Sequence, residues 1–208
     1  MASARHRITR SERAEQTRSG LVEAARDVFL RRGFHGASLD EISAEAGYTT
    51  GAVYSRFGGK DGLFLAVLDD HVEQRTRLYA GAALAAPDFE TAGRELVRAA
   101  VAAGDREPGW TPLLMEFWTH AARRDDLRAA VLERNDRQLD AVTALHERLA
   151  ARHGVTFTRP PREILRAITA LSRGLGLERR IAPDDHLDTL FEEYAVAVML
   201  AFVERSPS

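Results

Sequence analysis

The most constraining stretch of this sequence is residues 38–57, SLDEISAEAGYTTGAVYSRF, because it carries start and stop signals for two short helices. Ser38 stands three residues before Glu41, the capping-box pattern that begins a helix. Gly47 is suited to the left-handed conformation that commonly ends a helix, and Thr49 is suited to cap the next one. Two short helices joined by a turn that contains a glycine predict a helix-turn-helix.

The second of these helices has the chemistry of a surface that contacts DNA. Its hydroxyl groups suit phosphates and base edges, and its small residues let the backbone approach a duplex. Lys60 is expected at the start of the following helix, where free N–H groups attract a phosphate. The alternative is a plain scaffold helix after a glycine turn. The residues that we expect to contact DNA are Ser38, Tyr48, Thr49, Thr50, Ala52, Tyr54, Ser55, Arg56 and Lys60.

Residues 17–65 resemble the DNA-binding domain of the TetR family of bacterial transcriptional regulators. The matching residues are Ala24, Ala25, Phe29, Gly33, Phe34, Ser38, Ile42, Ala46, Gly47, Gly51, Tyr54, Phe57, Lys60, Leu63 and Phe64. The resemblance implies an all-α, dimeric repressor with one DNA-binding head per subunit. It also implies a C-terminal domain that senses a small molecule.

Three residues depart from the pattern of that family. Gly59 and Gly62 stand where a capping residue and a helix former are usual. Because a glycine inside a helix costs about 1 kcal/mol, we expect the helix that follows residue 59 to start loosely. Arg56 stands where His or Tyr is common, which leaves the preferred bases open.

Apolar periodicity predicts an all-α chain of about nine helices in two domains. We assign residues 11–74 to a three-helix DNA-binding domain, and residues 75–205 to a regulatory domain for ligand binding and dimerisation. The first helix is expected from Ser11 to Arg32, and the last is expected to reach Val203. That last helix is apolar on more than one side and must be covered. We therefore expect the last two helices to pair with their copies in a homodimer.

Charge is distributed unevenly along the chain, although the net charge is only −2. Residues 1–60 hold ten Lys and Arg against seven Asp and Glu, whereas residues 61–208 hold 19 against 24. A basic head on an acidic body is expected if only the head meets phosphate. The arginines of residues 1–10 either follow the DNA backbone or belong to a disordered terminus with incidental charge.

The most aromatic segment, residues 110–124, has two open interpretations. Its aromatic and apolar side chains recur at helical spacing, which suits either a plain core or the wall of a ligand pocket, and the family resemblance supports the pocket. Asn135 interrupts the apolar stripe of the next helix and needs a partner, either a ligand or a neighbouring helix. The residues assigned to binding an apolar or aromatic effector are Trp110, Leu114, Phe117, Trp118, Asn135, Leu139, Val142 and Leu171.

Together with the family resemblance, these patterns predict a ligand-responsive transcriptional regulator, and the resemblance implies a dimeric repressor that a small molecule releases from a palindromic operator. An enzyme is disfavoured, because the sequence has no Gly-rich phosphate loop, no elbow serine and no H-E-x-x-H. An architectural DNA-binding protein would not need the bulky apolar body.

Cofactors, metals and membranes are not expected. The sequence contains no Cys, which excludes disulfides and thiolate chemistry. Glu116 and His120 are four residues apart but have no third ligand nearby. No apolar run approaches the roughly 18 residues of a membrane span, so we expect a cytoplasmic protein.

Overall fold

The computed structural model describes residues 9–182 and 186–205, and within these ranges it contains nine α-helices and two short strands. The all-α prediction is therefore confirmed. The helices are α1 (Arg10–Gly36), α2 (Leu39–Ala46), α3 (Thr50–Phe57), α4 (Lys60–Ala83), α5 (Phe89–Arg106), α6 (Trp110–Ala121), α7 (Asp125–Arg152), α8 (Pro161–Ile181) and α9 (His186–Leu200). The strands are β1 (Val155–Phe157) and β2 (Val203–Arg205).

Contacts divide the chain into two compact units, one before and one after the boundary between residues 70 and 71. The first unit, here called the head, holds α1 to α3 and the first part of α4. The second unit, here called the body, holds the rest of α4 and all later elements. The basic residues Arg5 and Arg7 of the expected N-terminal arm lie outside the described residues. None of the described helices is both long enough and apolar enough to cross a membrane.

The first helix begins at a complete capping box that lies before its expected start. Thr9 Oγ1 accepts a hydrogen bond from the Glu12 amide at 3.2 Å, and Glu12 Oε2 accepts one from the Thr9 amide at 2.6 Å. At the other end, Gly33 adopts φ 72° and ψ 172° and kinks the chain, as its expected role as a helix stop implies. A further short helical segment follows the kink and ends at Gly36.

Three phenylalanine rings form the centre of the head. Phe29 and Phe64 meet edge to face with 5.2 Å between ring centres, and Phe34 lies 5.4 Å from Phe64. All three side chains are buried. Since Phe29 lies before the kink in α1, Phe34 after it and Phe64 in α4, the cluster fixes α1 against the start of α4.

The body is a layered helical bundle closed by a two-stranded sheet. α5 packs on α7 and α9, and α8 packs on α6, α7 and α9. Asp88 caps α5 by accepting a hydrogen bond from the Thr91 amide at 2.7 Å. The core includes Ala83, Ala86, Phe89, Ala92, Leu96, Leu145, Leu149, Ala150 and Met199.

The sheet was not expected from the sequence. β1 pairs antiparallel with β2, with Thr156 opposite Glu204. The last helix therefore ends at Leu200 instead of Val203, and β1 lies in the connection between α7 and α8. Three-residue strands are too short for an alternating pattern to reveal them, because each is stabilised by a partner that is distant in sequence. The sequence also predicts that the last helix opens at Pro183, but this residue lies outside the described residues.

The junction between α3 and α4 contains three glycines with different roles. Gly58 adopts φ 74° and ends α3, and Gly59 adopts φ 130° in the turn. Gly59 lies just before α4, which begins at Lys60, and so occupies the capping position of that helix. Gly62 does lie inside α4, where a Cβ atom would stand 1.9 Å from the Phe57 carbonyl oxygen. Glycine at this position therefore permits a close approach of α3 and α4.

We expect Gly62→Ala to destabilise the protein, although alanine is the better helix former. The added methyl group forces the backbone at Phe57 to move, and overpacking of this kind costs about 1–3 kcal/mol in the free energy of unfolding. The matched control is Gly51→Ala in α3, where the nearest atom to the new Cβ is 3.7 Å away, so a gain of up to about 1 kcal/mol is expected. Chemical denaturation measures the free energy of unfolding of both variants. Equal stabilisation by the two substitutions would contradict the close approach.

Candidate functional site

The turn between α2 and α3 has the geometry that the sequence predicts. Ser38 Oγ accepts a hydrogen bond from the Glu41 amide at 3.1 Å, so the cap of α2 is present. The Glu41 carboxylate instead meets Arg32 of α1 at 3.3 Å, and only the serine half of the expected capping box forms. Gly47 adopts the left-handed conformation with φ 73° and ψ 27° and ends the helix.

One side of α3 is anchored and the other faces solvent. Val53 is completely buried, and Phe57 one turn later is half-buried. Tyr54 is 59% exposed, and Ser55 and Arg56 are also exposed. An eight-residue helix with a single buried side chain presents nearly all of its polar groups to solvent. This arrangement allows α3 to enter a groove of a partner without unfolding.

The two threonines at the start of α3 make different contacts. Thr49 occupies the capping position, but its side chain makes no capping hydrogen bond, so the prediction that its hydroxyl caps α3 is wrong. The hydroxyl of Thr50 donates to Asp40 Oδ1 at 2.7 Å and ties α3 to α2. Thr49 is exposed, whereas Thr50 and Ala52 are half-buried.

Tyr48 lies in the turn against α1. A Cβ atom on Gly20 would stand 3.3 Å from Cε2 of the Tyr48 ring, so the ring packs closely on the glycine. The ring is still 36% exposed. Its backbone amide donates to the Ser43 carbonyl oxygen at 2.9 Å, which fixes the direction in which the chain enters α3.

Lys60 is the first residue of α4, as predicted, and it is held by the end of α1. Its Nζ donates to the His35 carbonyl oxygen at 3.1 Å and lies 4.9 Å from the centre of the Phe34 ring. The lysine is half-buried. Its charge is therefore held at the end of α1, beside the Phe34 ring.

Not every cation of the head is available to an outside anion. Arg31 forms a two-bond pair with Glu45, and this hydrogen bonding lowers the pKa of the Glu45 carboxyl. Arg32 is paired with Glu41. Arg56, by contrast, is exposed at the end of α3 and forms no ion pair with any residue that the structure describes.

The eight residues assigned to ligand binding lie on three helices of the body that pack on one another. Four belong to α6, three to α7 and one to α8. The buried ones are Trp110, Leu114, Phe117 and Leu139, and the half-buried ones are Trp118, Asn135, Val142 and Leu171. The structure thus brings their helices together, and their contact with an effector remains a prediction.

Two functional candidates in the body were missed by sequence reasoning. The buried ring of His71 stacks on Trp110 with 3.6 Å between ring centres, and its Nδ1 lies 3.1 Å from Glu107 Oε2. One face of the Trp110 ring is therefore covered by His71. Arg173 of α8 lies over the ring of Trp118. The available signal for Arg173 was its position inside an otherwise apolar run, LSRGLGL.

Across residues 9–182 and 186–205, no three His, Asp or Glu side chains are grouped so that they could hold a metal ion.

Comparison with protein families identifies what the head resembles. Residues 21–67 match the family model described as "Bacterial regulatory proteins, tetR family". The HTH-type transcriptional repressor Rv3405c of Mycobacterium tuberculosis is 30% identical over 183 residues, which cover 86% of this chain and 92% of that protein.

Other relatives match over shorter segments. The HTH-type transcriptional activator FasR of Mycolicibacterium smegmatis is 43% identical over 68 residues, which cover 33% of this chain but only 29% of FasR. The HTH-type transcriptional repressor NicS of Pseudomonas putida is 32% identical over 124 residues, covering 58% of each chain.

Solved structures share the fold of the whole chain. A TetR transcription regulator from Haloarcula marismortui superposes with a TM-score of 0.71 at 17% identity, covering 92% of this chain and 100% of the other. The fatty acid degradation regulator FadR from Bacillus halodurans gives a TM-score of 0.67 at 16% identity, covering 88% and 94%. At these identities the likeness shows the fold alone.

Proposed function

The chain belongs to the TetR family of bacterial transcriptional regulators, and on that premise we propose that it is a homodimeric repressor that a small molecule releases from a palindromic operator. It is a DNA-binding regulator and not an enzyme. Residues 11–74 form the DNA-binding domain in this proposal, and residues 75–205 form the domain that binds the effector and the second subunit. Such a protein acts in the cytoplasm.

The observation that carries the proposal is the exposed polar face of α3. Because Val53 alone is fully buried, the helix stands out from the head with Tyr54, Ser55 and Arg56 toward solvent. A helix of this kind lies in the major groove, where its N-terminal residues meet base edges. Thr50 and Ala52 are the residues that we assign to bases, while Ser38, Tyr48, Thr49, Tyr54 and Lys60 are assigned to the phosphate backbone.

Repression, as opposed to activation, is supported by the relatives with the longer matches. The relative matched over 86% of this chain and the one matched over 58% are both named repressors. The relative named an activator matches over 33%. In a dimeric repressor, the two heads bind successive major grooves about 34 Å apart. An effector that prefers another spacing of the heads lowers the affinity for DNA without touching it.

Exposed apolar and small residues on the last two helices support the homodimer. On α8, Ala170 and Gly174 are exposed one turn apart, and a Cβ atom on Gly174 would meet nothing within 4 Å. Ile181 is 80% exposed at the end of the same helix. On α9, Tyr194 is 56% exposed and Ala197 follows it on the same side. Small residues permit close contact between helices, and burying large apolar side chains away from water lowers the free energy of the dimer.

The first prediction from this proposal concerns Lys60. Lys60→Ala should weaken binding to all DNA sequences alike and lower the dependence of log K on log salt by about 1 per head, because one phosphate contact is lost. Fluorescence anisotropy with operator and random duplexes at several salt concentrations measures both effects. The melting temperature is the control, since Lys60 also donates to the His35 carbonyl oxygen. A change in the preferred bases would contradict the assignment of Lys60 to a phosphate contact.

The second prediction separates base contacts from backbone contacts on α3. Ala52→Ser should change the preferred sequence, because a hydroxyl is added on the side that faces the bases. Tyr54→Phe should instead lower the affinity and keep the preference, because one phosphate donor is lost. Selection of bound duplexes from a random pool measures the preference of each variant. An unchanged preference in Ala52→Ser, or a changed one in Tyr54→Phe, would contradict this orientation of α3.

The third prediction tests the dimer. Ala170→Glu places a charge on each copy of the proposed interface and should raise the dissociation constant of the dimer by at least about tenfold, because like charges oppose each other there. Ala141→Glu is the matched control, since Ala141 is also an exposed helical alanine but lies on α7. Sedimentation velocity at micromolar concentration measures the assembly. A monomeric wild-type protein, or equal behaviour of both variants, would contradict the interface.

A further inference from the structure

A positive charge without a carboxylate partner lies between α6 and α8. The guanidinium carbon of Arg173 stands 4.4 Å from the centre of the Trp118 ring. Among the residues that the structure describes, no Asp or Glu pairs with Arg173. Burial lowers the pKa of this guanidinium to about 10, so the group stays charged at neutral pH. A partly buried cation without a counter-charge is destabilising, and a bound anion would compensate it.

The tryptophan below this cation has an unused hydrogen-bond donor. The indole Nε1 of Trp118 is hidden from solvent and has no acceptor within residues 9–182 and 186–205. An indole N–H donates and never accepts, and a buried donor without a partner costs free energy. The guanidinium thus lacks a counter-charge and the neighbouring indole N–H lacks an acceptor, and a single oxyanion could supply both.

Another arginine of α8 shows what a structural ion pair looks like in this protein. Arg179 Nη1 donates to both carboxylate oxygens of Asp188, at 2.8 and 2.6 Å. Both arginines are half-buried on the same helix. The chain therefore supplies a carboxylate to Arg179 and an aromatic ring to Arg173. This difference is expected if the counter-ion of Arg173 arrives with a ligand.

The residues around Arg173 and Trp118 indicate the chemistry of the rest of the ligand. Thr111 and Trp118 lie on one face of α6, and Leu114 and Met115 come between them at helical spacing. At the Thr111 end, α8 approaches closely, since a Cβ atom on Gly176 would stand 3.4 Å from Thr111 Oγ1. Leu114 and Met115 therefore make the middle of this face apolar.

We propose that the effector is an organic anion whose carboxylate, or a similar oxyanion, binds Arg173 and the Trp118 indole N–H while its apolar part lies along α6. The planar fork of a guanidinium matches a carboxylate or a phosphate with two parallel hydrogen bonds. This inference rests on the proposed function, because it names the chemical class of the molecule that the regulator senses. The proposed class differs from the apolar or aromatic effector that the sequence predicts, because it adds a negative charge.

The first test needs no ligand. Arg173→Met removes the uncompensated charge and keeps a long apolar side chain, so the melting temperature of the free protein should rise by about 2–4 °C. Arg179→Met is the matched control and should lower the melting temperature, because it leaves Asp188 without its partner. A fall for Arg173→Met like that for Arg179→Met would show that Arg173 is structural and would overturn the proposal.

The second test uses defined probes on the full-length protein. Isothermal titration compares benzoate with benzamide, hexanoate with hexanamide, and both acids with phenyl phosphate. At least one anion should bind about tenfold more tightly than its amide, and Arg173→Met should abolish the difference. Stronger binding of phenyl phosphate than of benzoate would assign the site to a phosphate ester. Equal binding of acids and amides by the wild-type protein would overturn the proposal.

The two proposals fail in different ways. Operator duplexes obtained by selection are bound by wild-type protein and by Arg173→Met if the regulator function is right, whatever the effector is. If DNA is bound but no anion is preferred, only the effector class is wrong. If an anion is preferred but no duplex is bound with sequence preference, the regulator function is wrong and the anion site stands.

Discussion

The proposed DNA-binding surface depends on the burial of one side chain of a very short helix. Isolated helices below about 12–15 residues are marginal in water, and α3 has eight. Its stability must therefore come from packing, which Val53 and Phe57 supply. The head that receives them is held by the three rings of Phe29, Phe34 and Phe64. With the hydrogen bond from Thr50 to Asp40, this packing fixes α3 before any DNA arrives, so little ordering entropy is lost on binding.

Local signals made most of the head predictable, because caps and stops are short-range chemistry. The Ser38 cap, the left-handed Gly47 and the first position of Lys60 in α4 all follow from neighbours in sequence. The partners of the side chains could not be predicted from neighbours in sequence. The hydroxyl that ties down α3 belongs to Thr50 and not to Thr49, and its acceptor lies ten residues earlier. The close approach at Gly62 depends on the path of the backbone between two helices, which no spacing rule describes.

In the body, periodicity identified the helices but not the contacts between them. The stacking of His71 on Trp110 joins residues that are far apart in the chain, and β1 pairs with β2 across α8 and α9. The sequence sets Arg173 apart from Arg179 by its more apolar neighbours, but it does not show which side chain faces either arginine. Their difference arises from what faces them, a tryptophan in one case and an aspartate in the other. Such differences are where a family fold acquires the chemistry of a particular ligand.

Lys60 has a consequence that goes beyond electrostatics, because it is the only lysine in a chain with 29 Lys and Arg residues. Reagents that acylate primary amines can therefore modify a single side chain of this molecule. That side chain reaches the end of α1 from the start of α4. Acetylation there would cancel the charge above the Phe34 ring and crowd the His35 carbonyl oxygen in one step. In a protein that otherwise uses arginine for its positive charges, Lys60 is thus the one side-chain amine that an acetyl donor can modify.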